Sequence, residues 1–344
     1  MSTNKFGDKK KSFLGMRDIA RVAGVSIATV SRVLNNPETT SEKMRKKVMK
    51  VVDEYDYVPN SSARAIFTGS SKSIALFAED IANPFFTKFI KYFNNIAIEH
   101  DYTLLICDIE NNEEIEKRFL HYCKGSRTSA IILTSGKYRE TLISNEKYQN
   151  IPVVLLDREF FKDIAGFQVM SDHKKGIGLL TDYLFNLNHR KIGYMTGPME
   201  YYPARTRYAA FMESMQSLGL EVLPHYIKKT DYTVESGVEA FDYFYSMKDA
   251  PTAIICGNDQ NARGFILRAY DLGVKIPDEF SVCGYDGVDP EAFFPAITSI
   301  RQDTEQIAKV IFEFIASGEE LEENRTTVVD VAMSIGTTCK KLSV

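Results

Sequence analysis

Residues 16–36 constrain this chain more than any other segment, because they encode two short helices joined by a tight turn. They read MRDIARVAGVSIATVSRVLNN. Gly24 permits the bend, and the hydroxyl of Ser26 is placed to cap the second helix. Val30 and Val33 share a face that can pack, while the opposite face can enter a major groove. The segment predicts a DNA-reading helix-turn-helix; the alternative is an ordinary helical hairpin inside a larger core.

A third amphipathic helix is predicted to begin near Ser41, with lysine and arginine crowding its solvent side. Residues 1–72 hold 14 Lys and Arg against 7 Asp and Glu, a net charge of +7, and the rest of the chain carries −11. A basic head suits contacts to phosphates, while an acidic body stays off the DNA. We therefore predict a three-helix headpiece at residues 16–58, preceded by a flexible basic arm at residues 1–15.

Residues 59–73 predict a hinge between the head and the body. They begin with Pro59, which stops the third helix, and they end in small polar residues. Asn60 can cap one or two helical turns through Phe67, but so short a helix is marginal alone in water. It should form only when DNA or a second subunit holds it. A flexible linker is the alternative.

The size and composition of the chain set the class of the body. The chain has 344 residues, of which 44% are hydrophobic, which is enough for a small headpiece plus one large or two medium domains. No apolar run reaches the length of a membrane span, and the polar start lacks the apolar region of a signal peptide. A cytoplasmic protein without membrane association is expected. Five scattered cysteines with no CxxC pair favour reduced thiols.

Residues 74–344 alternate short apolar runs with helical stretches. This rhythm predicts βαβ units and parallel, doubly wound sheets. About 270 residues is too many for one such sheet, so an α/β body of two lobes is expected. The predicted strands are 74–77, 103–107, 130–133, 153–156, 192–195, 253–256 and 281–285, with a weak strand near 226–229.

Polar and aromatic residues follow several of these strands. Ligands of open parallel sheets bind beyond the carboxyl ends of the strands. Carboxylates and arginines can bond hydroxyl groups and rings can stack on C–H faces, so the set favours a sugar-like ligand. Each residue alone also fits a plainer role as a core aromatic, a helix cap or a turn former. The candidates are Phe85, Phe86, Asp157, Arg205, Arg207, Asp231, Tyr232, Asn258, Asp259 and Asp286.

The three helices and the Pro-Asn-x-x-Ala-Arg hinge resemble the DNA-binding head of the LacI/GalR family of bacterial transcription regulators, and the similarity extends over nearly the whole chain. The resemblance implies that residues 74–344 form a two-lobed domain of the type I periplasmic-binding-protein-like fold, which binds an effector and dimerises. It places the first lobe at about 74–172 and 301–327, and the second lobe at about 173–297 and 328–344.

The resemblance also implies roles for individual residues. Base reading falls to Ile27, Ala28 and Arg32, of which the arginine can bond a guanine bidentately. Phosphate contacts fall to Ser26, Thr29, Ser31, Asn35 and Ser41. The hinge would enter the minor groove through Asn60, Ala63, Arg64 and Ile66, the last replacing the family's usual leucine wedge. Effector contacts fall to Phe85, Asp157, Arg207, Tyr232, Asn258 and Asp286.

These features predict a repressor of a carbohydrate-utilisation operon. It would bind palindromic double-stranded operator DNA as a homodimer and be released by a sugar or sugar-phosphate inducer. Residues 284–287 and 294–302 are most similar to repressors of ribose and sucrose operons, which favours a sugar. Alternatives are a global carbon-catabolite regulator with a phosphoprotein coeffector, and a purine-type repressor that needs a corepressor. The basic head and the absent signal peptide oppose a solute-binding or sugar-processing protein.

Enzymatic patterns in the chain are weak. Residues 144–147 match SxxK without a KTG or SDN partner, and residues 176–178 lack the third glycine of a dinucleotide loop. There is no P-loop, and the five histidines show no metal-ligand spacing, so they are interpreted as surface or structural residues. We predict no catalytic residue, no metal site and no cofactor.

Overall fold

The computed structural model describes residues 15–57, 71–110, 112–134, 151–160, 166–287 and 295–343. The chain divides into two compact units, one ending at Ser71 and one beginning at Lys72. The predicted hinge residues Asn60, Ala63, Arg64 and Ile66 lie outside the described residues. Among the helices of the described segments, none is long and apolar enough to cross a membrane.

The described residues of the first unit contain the α-helices α1 (Met16–Val22), α2 (Ile27–Asn35) and α3 (Glu42–Glu54). A buried cluster that includes Ile19, Val30 and Val48 holds them together. Gly24 takes the left-handed conformation (φ +58°) that the tight turn needs. The side chain of Ser26 accepts a hydrogen bond from the Thr29 amide at 3.1 Å. The predicted helix-turn-helix and its cap are confirmed.

Two six-stranded sheets form the second unit. The strands of the first sheet are β1 (Ser73–Ala78), β2 (Thr103–Asp108), β3 (Ala130–Leu133), β4 (Val153–Leu156), β5 (Phe167–Ser171) and β11 (Arg325–Val329). The strands of the second are β6 (Ile192–Met195), β7 (Ile227–Lys228), β8 (Ala253–Ile255), β9 (Ser281–Asp286), β10 (Thr298–Gln302) and β12 (Val331–Ser334).

The order of the first sheet is β11-β5-β4-β3-β1-β2, and that of the second is β12-β10-β9-β8-β6-β7. All neighbouring strands are parallel except β12, which runs antiparallel to β10. The predicted parallel, doubly wound architecture is therefore confirmed, with one antiparallel edge. The seven predicted strands are present, each within one residue of its predicted limits.

Helices pack on both faces of each sheet over four buried apolar clusters. In chain order they are α4 (Pro84–Glu99), α5 (Glu113–Ser126), α6 (His173–Asn186), α7 (Tyr202–Ser217), α8 (Val234–Tyr245), α9 (Asp259–Asp271) and α10 (Thr304–Ser317).

The chain crosses between the sheets after β5, after β10 and after β11. The chain leaves the second sheet after Gln302, which is five residues beyond the lobe limit expected at 297. The chain leaves the first sheet for the last time after Val329, which is two residues beyond the limit expected at 327. In β10 the buried side chains include Thr298, Ser299 and Gln302, so this strand has no continuous apolar run that would reveal it.

Candidate ligand cleft and DNA-reading helix

A cavity of about 360 Å³ lies where the carboxyl ends of the two parallel sheets face each other. Its volume falls within the range of roughly 300–1,000 Å³ that is typical of small-molecule sites. The structure brings all six predicted effector residues into its lining: Phe85, Asp157, Arg207, Tyr232, Asn258 and Asp286. Their assignment as effector contacts stays a prediction.

Phe85 reaches the cavity from the first turn of α4. The Asn83 side chain caps this helix by accepting from the Phe85 amide at 3.0 Å, and Pro84 occupies a first-turn position that favours helix initiation. Phe85 and Phe86 pack edge to face with ring centroids 5.3 Å apart, and both also belong to the core of the first lobe. These two rings therefore belong to the core and also line the cavity, so the two sequence interpretations do not exclude each other.

Three of the six residues have a backbone conformation that side-chain-bearing residues rarely adopt. The φ angle is +50° at Asp157, +71° at Tyr232 and +128° at Asp286. Such a conformation costs on the order of 1–3 kcal/mol and persists where the surrounding structure enforces it, which is common at functional sites. The same conformation occurs at turns elsewhere in the chain, but at these three residues it falls in the cavity wall.

Arg207 is buried, with 5% of its surface exposed, and its guanidinium has partners on several sides. It stacks on the ring of Tyr285 at 3.8 Å from the ring centroid and donates to the Gly257 carbonyl at 3.0 Å. Its Nε lies 3.3 Å from Nδ1 of His173, and Nη2 lies 3.9 Å from Asp286. These contacts hold the guanidinium in one orientation at the cavity wall.

Burial favours the protonated form of the Asp286 carboxyl. Burial raises its pKa to about 8, although the nearby Arg207 opposes the rise. Gln302 donates to its Oδ1 at 2.7 Å. A neutral carboxyl can donate as well as accept a hydrogen bond, which suits a hydroxyl-bearing ligand.

The ring of Tyr232 packs directly on the glycine backbone at Gly197, where an added Cβ would lie 2.2 Å from the tyrosine Cε1. Asn258 donates from its side chain to the Tyr232 carbonyl at 3.1 Å and so fixes the loop. Burial raises the pKa of Tyr232 to about 12. Its hydroxyl is buried and has no hydrogen-bond partner among the described residues, so a ligand at the cavity wall could satisfy it.

Sequence reasoning missed four residues at this site. The hydroxyl of Tyr201 hydrogen-bonds Glu79 across the cleft and links the two lobes. Gln302 accepts from Ser171 Oγ at 2.6 Å while it donates to Asp286. His173, interpreted from sequence only as a surface or structural residue, is fully buried between Asp157 and Tyr285. Tyr201 and His173 lie at helix starts, and Gln302 ends a strand without an apolar run. Glu79 directly follows β1, a predicted strand, so its position at that strand end was a signal that could have found it.

The other strand-end candidates have different environments. Asp231 lines the cavity. Arg205 instead forms an ion pair with Glu159 at 2.7 Å. Asp259 accepts a hydrogen bond from Ser299 at 2.6 Å inside the second lobe. Of these three, only Asp231 has the position expected of a ligand contact.

The outer face of α2 carries the predicted base-reading residues. Ile27 is 44% exposed, and Ala28 and Arg32 are exposed beside it. The predicted phosphate contacts lie around this helix, where Ser26 bonds Thr29 at 2.8 Å and Asn35 donates to Ser31 at 3.2 Å, and Ser41 precedes α3. The face is available to DNA, and the individual roles stay predictions.

Comparison with protein families gives two matches. Residues 15–60 match the family described as "Bacterial regulatory proteins, lacI family", and residues 181–338 match "Periplasmic binding protein-like domain". The HTH-type transcriptional repressor PurR of Edwardsiella ictaluri (strain 93-146) is 31% identical over 306 residues, covering 87% of this chain and 89% of that protein.

Solved structures share the fold. The lac repressor dimer bound to operator and the anti-inducer ONPF superposes with a TM-score of 0.83 at 22% identity, covering 95% of this chain and 99% of that one. The complex of the transcriptional regulator CelR with cellobiose superposes with a TM-score of 0.69 at 22% identity, covering 94% and 99%. At these identities the likeness concerns the fold alone.

Proposed function

Because this chain belongs to the lacI family of bacterial regulatory proteins and is a DNA-binding transcriptional repressor, we propose that it controls a carbohydrate-utilisation operon. A sugar or sugar phosphate would release it from a palindromic operator in the cytoplasm. It would act as a homodimer, because one head reads only half of such a site.

The cavity between the sheets supports this proposal most directly. Six residues predicted from sequence meet there, together with aromatic rings and groups that can accept or donate hydrogen bonds. Rings that stack on C–H faces beside carboxyls that bond hydroxyls form a chemistry that recognises polyhydroxylated ligands. The related fold of CelR, solved with cellobiose, is consistent with such a ligand.

The proposed mechanism couples two states of the lobes. DNA would stabilise the lobe arrangement in which the hinges of two subunits pair, and the inducer would stabilise a different closure in which they separate. The Tyr201–Glu79 bond and the Arg205–Glu159 ion pair both join the lobes, so they are contacts that a change of closure would alter.

A purine-type corepressor is the second candidate, and the identity to a repressor named PurR favours it. The two candidates predict opposite effects of the ligand on operator affinity. An inducer lowers operator affinity when the cleft is occupied, whereas a corepressor raises it.

Selection from a pool of random duplex DNA tests the proposal. The purified protein should enrich a palindromic site, and one member of a panel of sugars and sugar phosphates should weaken binding to it. Enrichment of a palindrome that only a purine strengthens would replace the sugar with the corepressor. If no site is enriched under any condition, the specific-operator proposal is wrong.

Two arginines of the second lobe offer a matched comparison. Arg207→Ala removes the guanidinium from the cavity wall and should abolish the response of the operator complex to the inducer. Arg268→Ala removes an arginine of helix α9 that does not line the cavity and whose ion pair with Asp242 lies within the second lobe. It should keep the response to the inducer, with circular dichroism confirming that both variants are folded.

A further inference from the structure

The lining of the cleft is strongly asymmetric in charge. Six acidic side chains contribute to it, from both lobes: Glu79, Asp80, Asp157, Asp231, Glu235 and Asp286. Among the described lining residues Arg207 is the one basic side chain. Even when Asp286 holds its proton, carboxylates far outnumber cations around the ligand space.

The single cation is already engaged. Arg207 donates to the Gly257 carbonyl and to His173, stacks on Tyr285, and lies near Asp286. An anionic group entering the cavity would have to compete with these partners for the guanidinium. It would also lie close to carboxylates in a partly enclosed cleft, where like charges repel more strongly than in bulk water.

The raised pKa of Asp286 is consistent with the excess of carboxyl groups in the lining. Burial is its main cause, and the neighbouring carboxyls of Asp259 and Asp157 add to it. The site thus retains a proton where an isolated aspartate would lose one, as expected where additional negative charge is unfavourable.

The remaining groups suit hydroxyls or an amine. Carboxylate oxygens accept from either, and the hydroxyl of Tyr232, which has no partner among the described residues, can donate to a ligand oxygen. Phe85, Phe86 and Tyr201 add ring surface to the lining for a sugar's C–H face. The chemistry of the wall therefore complements a polyhydroxylated molecule that is uncharged or positively charged.

We propose that the effector carries neither phosphate nor carboxylate, and that it is a free sugar or an amino sugar. This inference rests on the proposed function, since it narrows the ligand class of the same cleft. The acidic lining would act as a selectivity filter that rejects the phosphorylated forms of the same sugars.

A neighbouring cavity is where the phosphate of a phosphorylated effector would bind if the proposal were wrong. It shares Phe85 and Asp286 with the cleft, and its lining includes Lys88 and Lys91 of helix α4. A phosphorylated effector would need its phosphate there, with the sugar reaching past Asp286 into the cleft.

Matched pairs of ligands test the proposal on the intact protein. Calorimetry and operator release are measured with ribose and ribose 5-phosphate, glucose and glucose 6-phosphate, and glucosamine and glucosamine 6-phosphate. We expect a free sugar or amino sugar to bind and its phosphorylated partner to bind at least about 100-fold more weakly. Tighter binding of a phosphorylated sugar than of its free partner would overturn the proposal. If Lys88→Ala or Lys91→Ala then abolished that tighter binding, the phosphate would be placed in the neighbouring cavity.

Failure of the inference and failure of the proposed function give different results. If a phosphorylated sugar is the inducer, only the inference fails. If no member of any pair binds and a purine does, both fail.

A charge-neutral variant tests the filter itself. Glu235 lies at the exposed edge of the cleft on helix α8. Glu235→Gln should narrow the discrimination against the phosphorylated partner by about threefold, a size typical of one solvent-exposed charge. Glu239→Gln, one turn further along and outside the lining, should leave the ratio unchanged. An unchanged ratio in both variants would contradict the filter.

Discussion

Arg207 donates from Nε to Nδ1 of His173 across 3.3 Å, and this contact fixes the protonation state of the imidazole. A guanidinium can only donate, so Nδ1 must be an acceptor and the ring proton resides on Nε2. From there it donates to Oδ1 of Asp157 at 3.1 Å. Since Asp157 follows a strand of the first sheet and Arg207 belongs to a helix on the second, one neutral histidine connects the two lobes at the cleft.

His173→Gln should remove part of the loss of stability in acid. Burial is the main reason that the pKa of His173 is lowered. Below pH about 6.5 the unfolded chain therefore takes up a proton that the folded chain refuses, so stability falls as the pH falls, by at most about 1.4 kcal/mol per pH unit for one group. Urea unfolding between pH 5 and 8 should show a shallower acid slope in the variant. The exposed His225→Gln serves as the control, and an identical slope in both variants would contradict the assignment.

Asp286→Asn should change stability at the opposite end of the pH range. The folded protein keeps a proton on Asp286 up to pH about 8, whereas the unfolded chain loses it near pH 4. Stability therefore falls as the pH rises between these values, and the amide removes that fall. The variant should match the parent near pH 4 and melt at a higher temperature near pH 8. Asp278→Asn, on an exposed residue paired with Lys340, should not reproduce this pattern.

Gly264→Ala should destabilise the second lobe, because helices α8 and α9 approach each other at this glycine. A Cβ there would lie 1.9 Å from the Val234 carbonyl oxygen. Overpacking of this kind costs typically about 1–3 kcal/mol. Gly125→Ala in helix α5 meets no atom within 4 Å and should instead stabilise by roughly 0.5–1 kcal/mol. Denaturant unfolding of the two variants gives the comparison, and equal effects would show that the helices separate without cost.

The elements that sequence predicted well are those whose buried side chains are apolar. All six side chains of β1 are buried, and this strand was recognised to within one residue at each end. The helix-turn-helix could also be predicted from sequence, because its cap at Ser26 and its turn at Gly24 are local signals. Local pattern was sufficient wherever burial and hydrophobicity coincide.

Two of the missed strands, β5 and β10, bury polar groups, whereas β11 and β12 each bury only one side chain. In β5 the side chains of Gln168 and Ser171 are buried, and Ser171 finds its partner Gln302 at a separation of 131 residues. No local pattern reports such a bond. Missing β5 also concealed His173 just beyond its end, and missing β10 concealed Gln302. The prediction therefore contained six residues of the cavity lining but not the polar side chains that contact Asp157, Arg207 and Asp286.

Arg32→Ala should relax discrimination at one operator position at a cost of about 1–3 kcal/mol. The side chain is exposed on the outer face of α2, where it can reach a base edge. Lys50→Ala, on an exposed position of α3, should weaken binding equally on all sequences or not at all. Affinities for the selected operator and its single-base variants distinguish these outcomes. An equal loss on every sequence in Arg32→Ala would assign that residue to the phosphates instead.

Ile66→Gly should separate the two activities of the protein. We predict that Ile66 is the minor-groove wedge, and glycine cannot unstack a base step or support a short hinge helix. Operator affinity should fall by at least roughly tenfold, since the bent complex loses its wedge. Calorimetric binding of the effector should stay unchanged, because the cleft is built entirely from residues of the second unit. Ile66→Leu, which keeps an apolar wedge, should retain operator affinity; full affinity in the glycine variant would show that the hinge binds DNA without a wedge.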